Sequence, residues 1–481
     1  MSNYQVPQVT ISQEFAQLPI FSASPLSALI IGPAFPAVAN PSVVTGLTLT
    51  AGGTLYTVTP TVTITRHSGD TTGAGATATA TLGTGANSGK VVSLTLTAPG
   101  ANYTLPPDVT INRGNGDTTG GSATATATIS TRAFSASQSG AIGSVTDDAS
   151  IIALFGDINP ANTLAYGLHC AINNSNGAVV YYGAVPTNDE AGYTSVLDLA
   201  EKGTYYGIVP LTNDTSIQAD VIGHVNAMSA KDKAKWRTCW LSTNVPSGTY
   251  ANSAAMATAY VEALLHGGTG GEGSNANAGP RRIHNVFPDV WYVDTTTSNP
   301  LAGYFLAASL AGLRSGSVPH RSLTNTEVVG PVNMPRVLSD FTSDDLDTIA
   351  AAGVWIITQN SKGGGAYTRH QLTADTSNLN YSEDSITANV DSISYGLQAA
   401  LEPYVGIYNI TPATVLKIRA AVDGELSYRL TQTYTEVTGN QLLGYKIINI
   451  SQDPTFQDRI NVTVSLDVPY PLNNVIVTLS I

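Results

Sequence analysis

Helix-like and strand-like segments alternate through the middle of this 481-residue chain, and this alternation restricts the possible folds more than any other feature. Helical spacing of apolar residues occurs at 191–202, 215–230, 251–266, 302–313 and 342–352. Apolar strand-like runs occur at 26–36, 205–211, 236–243, 282–293 and 354–358. Elements that alternate in this way form a mostly parallel sheet covered by helices. We therefore predict an α/β domain.

An internal repeat interrupts the start of this domain. Residues 44–82 align without a gap with residues 91–129, at a shift of 47 and with 25 of 39 positions identical. Both copies alternate apolar residues with Thr, which is the period-two pattern of strands, and both contain a Gly-Asp-Thr-Thr-Gly turn. Each copy is predicted to form about three short strands but has few large apolar residues. The two copies should therefore pack together as one β-domain.

The last part of the chain follows a third pattern. One helix is predicted from Ser382-Glu-Asp to about Pro403, and a second from the N-cap Thr411 and the following Pro412 to about Tyr434. Segments 442–451 and 459–468 alternate apolar and polar residues, as paired strands do. These elements predict a compact α+β domain, and the β-prone segment 474–481 remains as an extra strand.

The changes of pattern predict where the chain divides. The predicted units are an N-terminal extended arm (1–25), a central α/β domain (26–40 and 134–361), an inserted β-domain (41–133), a C-terminal α+β domain (362–468) and a C-terminal extended arm (469–481).

Charged residues are scarce and mostly acidic. They make up 11% of the chain, against roughly 25% in a typical soluble protein, and the formal net charge is −13. The hydrophobic fraction of 42% is ordinary, so most of the chain should fold. A nucleic-acid binder would need a basic stripe, which the acidic balance argues against. A surface with so few charges suggests that copies of the chain cover one another.

Two glycine-rich or acidic segments have a possible chemical meaning. Gly268-Thr-Gly-Gly-Glu-Gly273 has the spacing of a dinucleotide-binding loop, but it follows a helix and not a strand, so we interpret it as a flexible loop. Asp344, Asp345 and Asp347 could bind a cation. Their position in a capping box that starts at Thr342 favours stabilisation of the helix N-terminus instead.

The remaining reactive side chains give no catalytic signature. His224, His320 and His370 are scattered, and no Gly-x-Ser-x-Gly elbow accompanies them. We therefore predict no enzyme, no catalytic residue, no cofactor and no bound metal. The N-terminus lacks the features of a signal peptide, and the longest apolar runs are shorter than the roughly 20 residues that span a bilayer.

The two cysteines are predicted to be buried free thiols. Cys170 and Cys239 are too few for a disulfide framework and have no partner at metal-ligand spacing. His169 adjoins Cys170, but we expect the pair on one strand, where adjacent side chains point to opposite faces.

Seven stretches in collinear order resemble the contractile tail sheath proteins of bacteriophages. They are 301–315, 322–325, 347–355, 367–373, 383–395, 401–412 and 458–474. The resemblance extends over about 20–40 and 134–481. The insert at 41–133 lies outside it and is similar to small β-modules that decorate phage particles.

The resemblance implies a fold and a way of assembling. In this family a C-terminal α+β domain lies nearest the tail tube, a subtilisin-like α/β domain lies outside it, and insertions project outward. Arms of neighbouring subunits add strands to the C-terminal domain of another subunit, which is a known mode of assembly. The residues that would form these inter-subunit strands are Val9, Ile11, Phe15, Val475, Val477, Leu479 and Ile481.

The resemblance also implies a function and partners. The chain would be a structural subunit that polymerises helically around the tail tube and contracts to drive the tube through the host envelope. Its partners would be further copies of itself, the tail tube protein, and the baseplate and tail terminator proteins, without nucleic acid and without insertion into a membrane. It would assemble in the host bacterial cytoplasm and reside in the virion tail.

Two alternatives remain open. The chain could form the sheath of a phage-derived bacteriocin or injection particle, which sequence alone hardly separates from a phage tail. It could also be a carbohydrate-binding or adhesin-like virion surface protein, because Thr/Gly-rich modules such as the repeat often display binding loops.

Overall fold

The structure is a computed structural model, and its elements alternate as the sequence predicts. It describes residues 26–33, 43–68, 70, 73–101, 103, 105–129, 140–156, 158–265, 280–434, 439–473, 475 and 477. The elements up to the middle of the chain are β1 (Ala28–Pro33), β2 (Val44–Thr54), β3 (Thr61–Thr65), β4 (Ala74–Leu82), β5 (Val91–Ala101), β6 (Asp108–Asn112), β7 (Gly121–Ile129), β8 (Ala141–Val145), α1 (Asp148–Phe155), α2 (Thr163–Ile172), β9 (Val180–Val185), α3 (Glu190–Ala200), β10 (Gly207–Pro210), α4 (Thr215–Ser229), β11 (Thr238–Ser242) and α5 (Ser253–Glu262). The later elements are β12 (Ile283–Phe287), β13 (Val290–Trp291), β14 (Leu301–Ala302), α6 (Tyr304–Ser315), β15 (Glu327–Val328), α7 (Ser343–Ala351), β16 (Val354–Gln359), β17 (Ala366–Thr368), α8 (Leu379–Ser382), α9 (Asp384–Leu401), α10 (Pro412–Thr431), β18 (Gly444–Gln452) and β19 (Ile460–Asp467).

A nine-stranded mixed sheet forms the central unit. Its order is β15-β17-β16-β12-β11-β10-β1-β9-β8. The six strands from β16 to β9 run parallel, and the outer pairings of β8, β17 and β15 are antiparallel. The predicted parallel-rich sheet with helices is confirmed.

The first strand shows why both faces of this sheet are covered. Successive strand residues point to opposite faces, and all six residues of β1 are buried. Ala28 and Ile30 pack in the apolar cluster that includes residues of α2 and α6. Leu29 and Ile31 pack in the cluster that includes residues of α3 and α4. A strand buried on both faces has an uninterrupted apolar sequence, as this one does.

Two expectations about the central unit are wrong. His169 and Cys170 lie in helix α2 and not on a strand. In that helix Leu164, Leu168 and Ala171 recur at helical spacing and are buried, and α2 packs on α6. The sequence pattern did not predict a helix in this part of the chain. The strand expected at 282–293 is also divided, because Pro288 has no N–H for a sheet hydrogen bond and β12 ends just before it.

The six strands of the repeat interlock with pseudo-twofold symmetry. Strand β2 pairs with β7, and β5 pairs with β4, so the first strand of each copy pairs with the third strand of the other. Strand β3 pairs with its own counterpart β6 about the pair Thr63 and Thr110, which are 47 residues apart. Tyr103 of the second copy accepts a hydrogen bond from Ala76 N at 3.2 Å, and Tyr56 of the first copy accepts one from Ala123 N at 3.3 Å. Each copy therefore needs the other to complete its core.

The C-terminal elements pack as a second α+β unit. Helix α10 begins after the N-cap Thr411, whose side chain accepts from Thr414 N, with Pro412 at the first position, as predicted. Strands β18 and β19 form an antiparallel ribbon, also as predicted. Ile393 of α9, and Val422 and Leu426 of α10, are buried against the apolar side of this ribbon. No helix among the described residues has both the length and the apolar character needed to cross a membrane.

Candidate assembly surface

Among the described strands, none pairs with the outer edge of β18 or of β19. In the part of the chain that the structure describes, β18 and β19 pair only with each other, from Gly444 opposite Asp467 to Gln452 opposite Ile460. A strand at the edge of a sheet presents a row of unpaired N–H and C=O groups that can pair with another chain. Both edges of this ribbon are therefore able to accept an added strand.

An apolar groove lies beside the start of β19. It has a volume of about 220 Å³. Its lining residues include Leu401, Tyr404, Val405, Tyr408, Ile410, Ile418, Ile460 and Val462. Side chains from the end of α9, the connection to α10 and β19 thus form one apolar concavity. A strand added along β19 would have apolar surface within reach of its side chains.

Large apolar side chains project from the same unit into solvent. Val405 is 77% exposed, Ile407 is 74% exposed and Leu416 is 67% exposed. Exposed apolar residues are common singly, but a group of them within one small unit marks an interaction surface.

The predicted arm residues fall partly within the described structure. Val475 and Val477 lie after β19, belong to no strand, and are each 73% exposed. Val9, Ile11, Phe15, Leu479 and Ile481 lie outside the described residues. Their pairing with another copy stays a prediction.

The first residues of the C-terminal arm are fastened to the junction of the two units. The Tyr470 hydroxyl donates to Asn380 Oδ1 at 2.6 Å, and Asn473 Nδ2 donates to Glu383 Oε1 at 2.9 Å. Glu383 is fully buried and also lies 2.7 Å from His370 Nε2. Sequence reasoning missed these contacts, because the partners are about 90 residues apart and each is a common polar residue.

Two buried carboxylates hold α9 against the central sheet. Asp384 lies 2.9 Å from His284 Nε2 and 3.2 Å from Arg314 Nη1. Burial by itself raises the pKa of Asp384, but the Arg314 guanidinium and His284 outweigh it and hold this pKa below its usual range. Seven residues along the same helix, Asp391 accepts two hydrogen bonds from Arg282, at 2.7 and 2.9 Å. The central unit and α9 are therefore tied by ion pairs as well as by packing.

The three histidines considered in the sequence analysis contact different residues in different parts of the structure. His224 packs against Arg237, and burial together with that charge lowers its pKa to about 3. His320 packs against Tyr434, with ring centroids 5.0 Å apart. His370 contacts Glu383. The structure does not bring them into one site.

The acidic cluster and the cysteines have structural roles. Asp345 accepts hydrogen bonds from the backbone and side chain of Thr342, so the predicted capping box is confirmed. Among the described residues, no group of three or more metal-binding side chains occurs. Cys170 and Cys239 are buried and free, and burial raises the pKa of both thiols, to about 12 for Cys170. The glycine-rich segment 268–273 lies outside the described residues.

Comparison with known proteins gives matches among solved structures alone. No protein-family model and no curated protein matches the chain. The helical sheath of the anti-feeding prophage in its contracted state is 15% identical, with 72% of this chain and 89% of that chain covered and a TM-score of 0.51. A chain in the baseplate structure of the same particle is 16% identical, with coverages of 71% and 88% and a TM-score of 0.51.

A third match comes from a different particle. The sheath complex of an extracellular contractile injection system, PVC, in its contracted state is 13% identical, with coverages of 71% and 87% and a TM-score of 0.50. At these identities the likeness concerns the fold. The chain has the mixed α/β multidomain fold of contractile sheath proteins.

Proposed function

We propose that the chain is the structural subunit of a contractile sheath, which polymerises helically around a tube. The observation that carries this proposal is the shared fold with two sheath assemblies, over about 70% of this chain in each case. Two observations on the described residues support it: no described strand pairs with the outer edges of the ribbon, and Val475 and Val477 are exposed. Unpaired strand edges and exposed apolar side chains are surfaces that another chain can cover.

The subunits are joined in this proposal by exchanged arms. Residues 9–15 of one copy and 475–481 of another add strands to the two edges of the β18–β19 ribbon of a third copy. Main-chain hydrogen bonds supply affinity, and apolar side chains such as Val475 and Val477 become covered. A contact of this head-to-tail kind does not close on itself and therefore generates a helix.

Contraction is a rearrangement between two packed states. Each subunit rotates and moves outward as a rigid body while the arms stay paired. The buried ion pairs of Asp384 and Asp391 support rigidity, because they tie α9 of the C-terminal unit to the central sheet. The free energy comes from additional surface buried between subunits. The sequence contains no Gly-x-x-x-x-Gly-Lys-Ser/Thr motif for nucleotide binding.

The remaining partners follow from the same proposal. The subunit contacts a tube protein, a baseplate and a tail terminator, and it assembles in the bacterial cytoplasm into a virion tail. The central unit is subtilisin-like in architecture but carries no catalytic duty, since a fold does not confer a function by itself. The chain is accordingly a structural protein and not an enzyme.

Truncation of the C-terminal arm tests the proposal. The full chain and a variant that lacks residues 471–481 are purified and examined by negative-stain electron microscopy. We expect ordered tubes from the full chain and none, or few, from the truncated chain. Circular dichroism and thermal melting of both proteins show whether the truncated subunit still folds. Tubes that form equally well without residues 471–481 would refute the exchange of this arm.

An injection particle is the second candidate within the same class. The anti-feeding prophage and the PVC system, which are the sources of the matches above, favour it by their names. Genes for a capsid and a terminase next to the gene of this chain would identify a phage tail, and their absence would identify an injection particle.

A glycan-binding role for the insert is the candidate from another class. The outer face of β5-β4-β3-β6 is covered by exposed small polar side chains. They are Ser93, Thr95, Thr97, Thr77, Thr79, Thr81, Thr61, Thr63, Thr65, Asp108, Thr110 and Asn112. A glycan array probed with the full chain and with a variant that lacks 44–129 tests this role. Glycan binding that requires the insert would support this role, and no binding by either protein would rule it out.

A further inference from the structure

The segment 468–473 crosses from the end of β19 to the junction between the two units. Tyr470 contacts Asn380 in α8, and Asn473 contacts Glu383 at the N-cap of α9. Asn473 Nδ2 also lies 3.2 Å from His370 Nε2. Two separate side chains of the segment are therefore fastened, three residues apart, to a part of the chain about 90 residues earlier.

The platform that receives Asn473 is itself rigid. Glu383 is fully buried, and Gln371 Nε2 donates to its Oε2 at 3.0 Å. His370 Nε2 lies 2.7 Å from Oε1 and donates to it, because a carboxylate oxygen accepts. Leu372 and Glu383 form an isolated antiparallel bridge that holds the two segments of the platform together. Charge-assisted hydrogen bonds to a buried carboxylate are stronger than those between neutral groups.

The backbone of the segment is stiff as well. Pro469 and Pro471 fix their own φ angles and restrict Val468 and Tyr470, the residues before them, to extended conformations. Val468 packs against the apolar core of the C-terminal unit, whereas Leu472 is 81% exposed. The segment thus has an anchored start, an extended middle and a fastened end.

We propose that Glu383, His370 and Asn473 form a latch that fixes the position and direction in which the rest of the C-terminal arm, from residue 474 onward, leaves the subunit. The three are positioning residues: they act on where residues 474–481 begin and do not themselves contact a second copy. The significance of the latch for assembly rests on the proposed function, whereas its existence does not.

The short distance between the latch and the apolar arm residues explains why the starting direction matters. Val475 and Val477 lie two and four residues after Asn473, so they stay within ~15 Å of it even in a fully extended chain. These residues reach a particular neighbour only if the chain leaves the latch in the right place. Fixing its start also removes conformational freedom before association, which lowers the cost of binding.

A distance measurement on the isolated subunit tests the latch directly. Spin labels are attached to cysteines introduced at Val475 and Leu416, which are both exposed, and the distance between them is measured by pulsed electron spin resonance. The native thiols of Cys170 and Cys239 are buried, and a protein without the introduced cysteines measures their labelling. We expect one narrow distance distribution.

Variants of the latch should release the arm. In N473A the freed segment should broaden the distribution by on the order of 10 Å, as expected for a short flexible chain. Because His370 Nε2 donates to Glu383, it cannot accept from Asn473, so H370A acts only through the position of Glu383 and should broaden the distribution less. N461A is the matched control, because that amide donates to Asp453, away from the platform. A broad distribution in the unsubstituted protein, or a width that N473A leaves unchanged, would overturn the proposal.

An assembly measurement separates this proposal from the proposed function. Without spin labels, the full chain, N473A and N112A are compared for tube formation by electron microscopy. The Asn112 amide donates to Thr63 within the insert, away from both the ribbon and the latch. If the full chain forms no tubes, the proposed function fails, but the distance measurement still decides on the latch. If the full chain and N112A form tubes, we expect fewer or disordered tubes from N473A, and equal tubes would show that the latch does not guide the arm.

Discussion

Asp391 accepts hydrogen bonds from both terminal nitrogens of Arg282, at 2.7 and 2.9 Å, although the two residues are 109 positions apart. Arg282 directly precedes β12 of the central sheet, and Asp391 lies in the middle of α9. The Tyr206 hydroxyl donates to the same carboxylate at 3.1 Å. This contact joins the two units through groups that are almost completely removed from water. We therefore expect that breaking it destabilises the packing of the two units against each other.

Asp391→Asn is expected to destabilise the protein strongly. The Arg282 side chain is fully buried, and the substitution removes the negative charge that lies 2.7 Å from its guanidinium. Breaking a buried ion pair in this way costs about 3–5 kcal/mol. Urea unfolding measures the change.

The control for this variant is Asp347→Asn. Asp347 pairs with Arg369 but its side chain is 64% exposed, and exposed pairs contribute at most about 1 kcal/mol. Equal losses from D391N and D347N would show that the buried pair does not hold the units together.

Stability should fall as the pH is lowered through the range in which His224 titrates in the unfolded chain. Burial, then Arg237 and Lys233, lower the pKa of His224 from 6.5 to about 3. Between these two values the unfolded chain binds the additional proton, so stability rises with pH and is fully present above about 6.5. The contribution of this one group to the slope approaches about 1.4 kcal/mol per pH unit.

Chemical unfolding at a series of pH values checks the sign and the assignment. His224→Gln should remove this part of the pH dependence while keeping a polar side chain of similar size. A slope between pH 3 and 6.5 that H224Q leaves unchanged would assign the dependence to other groups.

Sequence reasoning reached most of the fold because the relevant signals are local. The capping box at Thr342 and Asp345 and the cap at Thr411 and Pro412 involve neighbours in the chain, and both are where they were expected. The helix that contains Cys170 was missed, because its burial comes from packing on α6, which lies more than 130 residues later. Short-range periodicity carries little information about such contacts.

In the candidate assembly surface, too, features set by neighbouring residues were predictable, whereas contacts between residues distant in sequence were not. The ribbon of β18 and β19 was predictable from alternation of apolar and polar residues. The fastening of Asn473 to Glu383 was not, because neither residue type nor spacing distinguishes these two from other polar residues in the chain. The strand exchange within the repeat was likewise beyond the pattern, since two tandem copies could also fold side by side.

Deletion of the insert should leave the rest of the subunit folded. We propose that 41–133 is an independent module, and the ends of its strands support this, because Val44 at the start of β2 pairs with Ile129 at the end of β7. A short linker can therefore replace residues 44–129 without stretching the chain. We expect the helical signal in far-ultraviolet circular dichroism, per molecule, to stay the same, and tubes to form as well as from the full chain.

Charge placed on the C-terminal arm should block assembly. Val475 and Val477 are exposed in the subunit, so Val475→Asp and Val477→Asp should leave its melting temperature unchanged. In a strand added to the ribbon these side chains become buried, and a buried carboxylate without a partner costs several kcal/mol. Because each 1.4 kcal/mol is a factor of about ten in affinity, the concentration needed for tube formation should rise at least about tenfold. Val58→Asp, at a valine of the insert that is 40% exposed, is the matched control and should assemble normally. Light scattering over a concentration series measures the threshold, and a threshold shared by V475D, V477D and the unsubstituted chain would mean that these valines remain in solvent within the assembly.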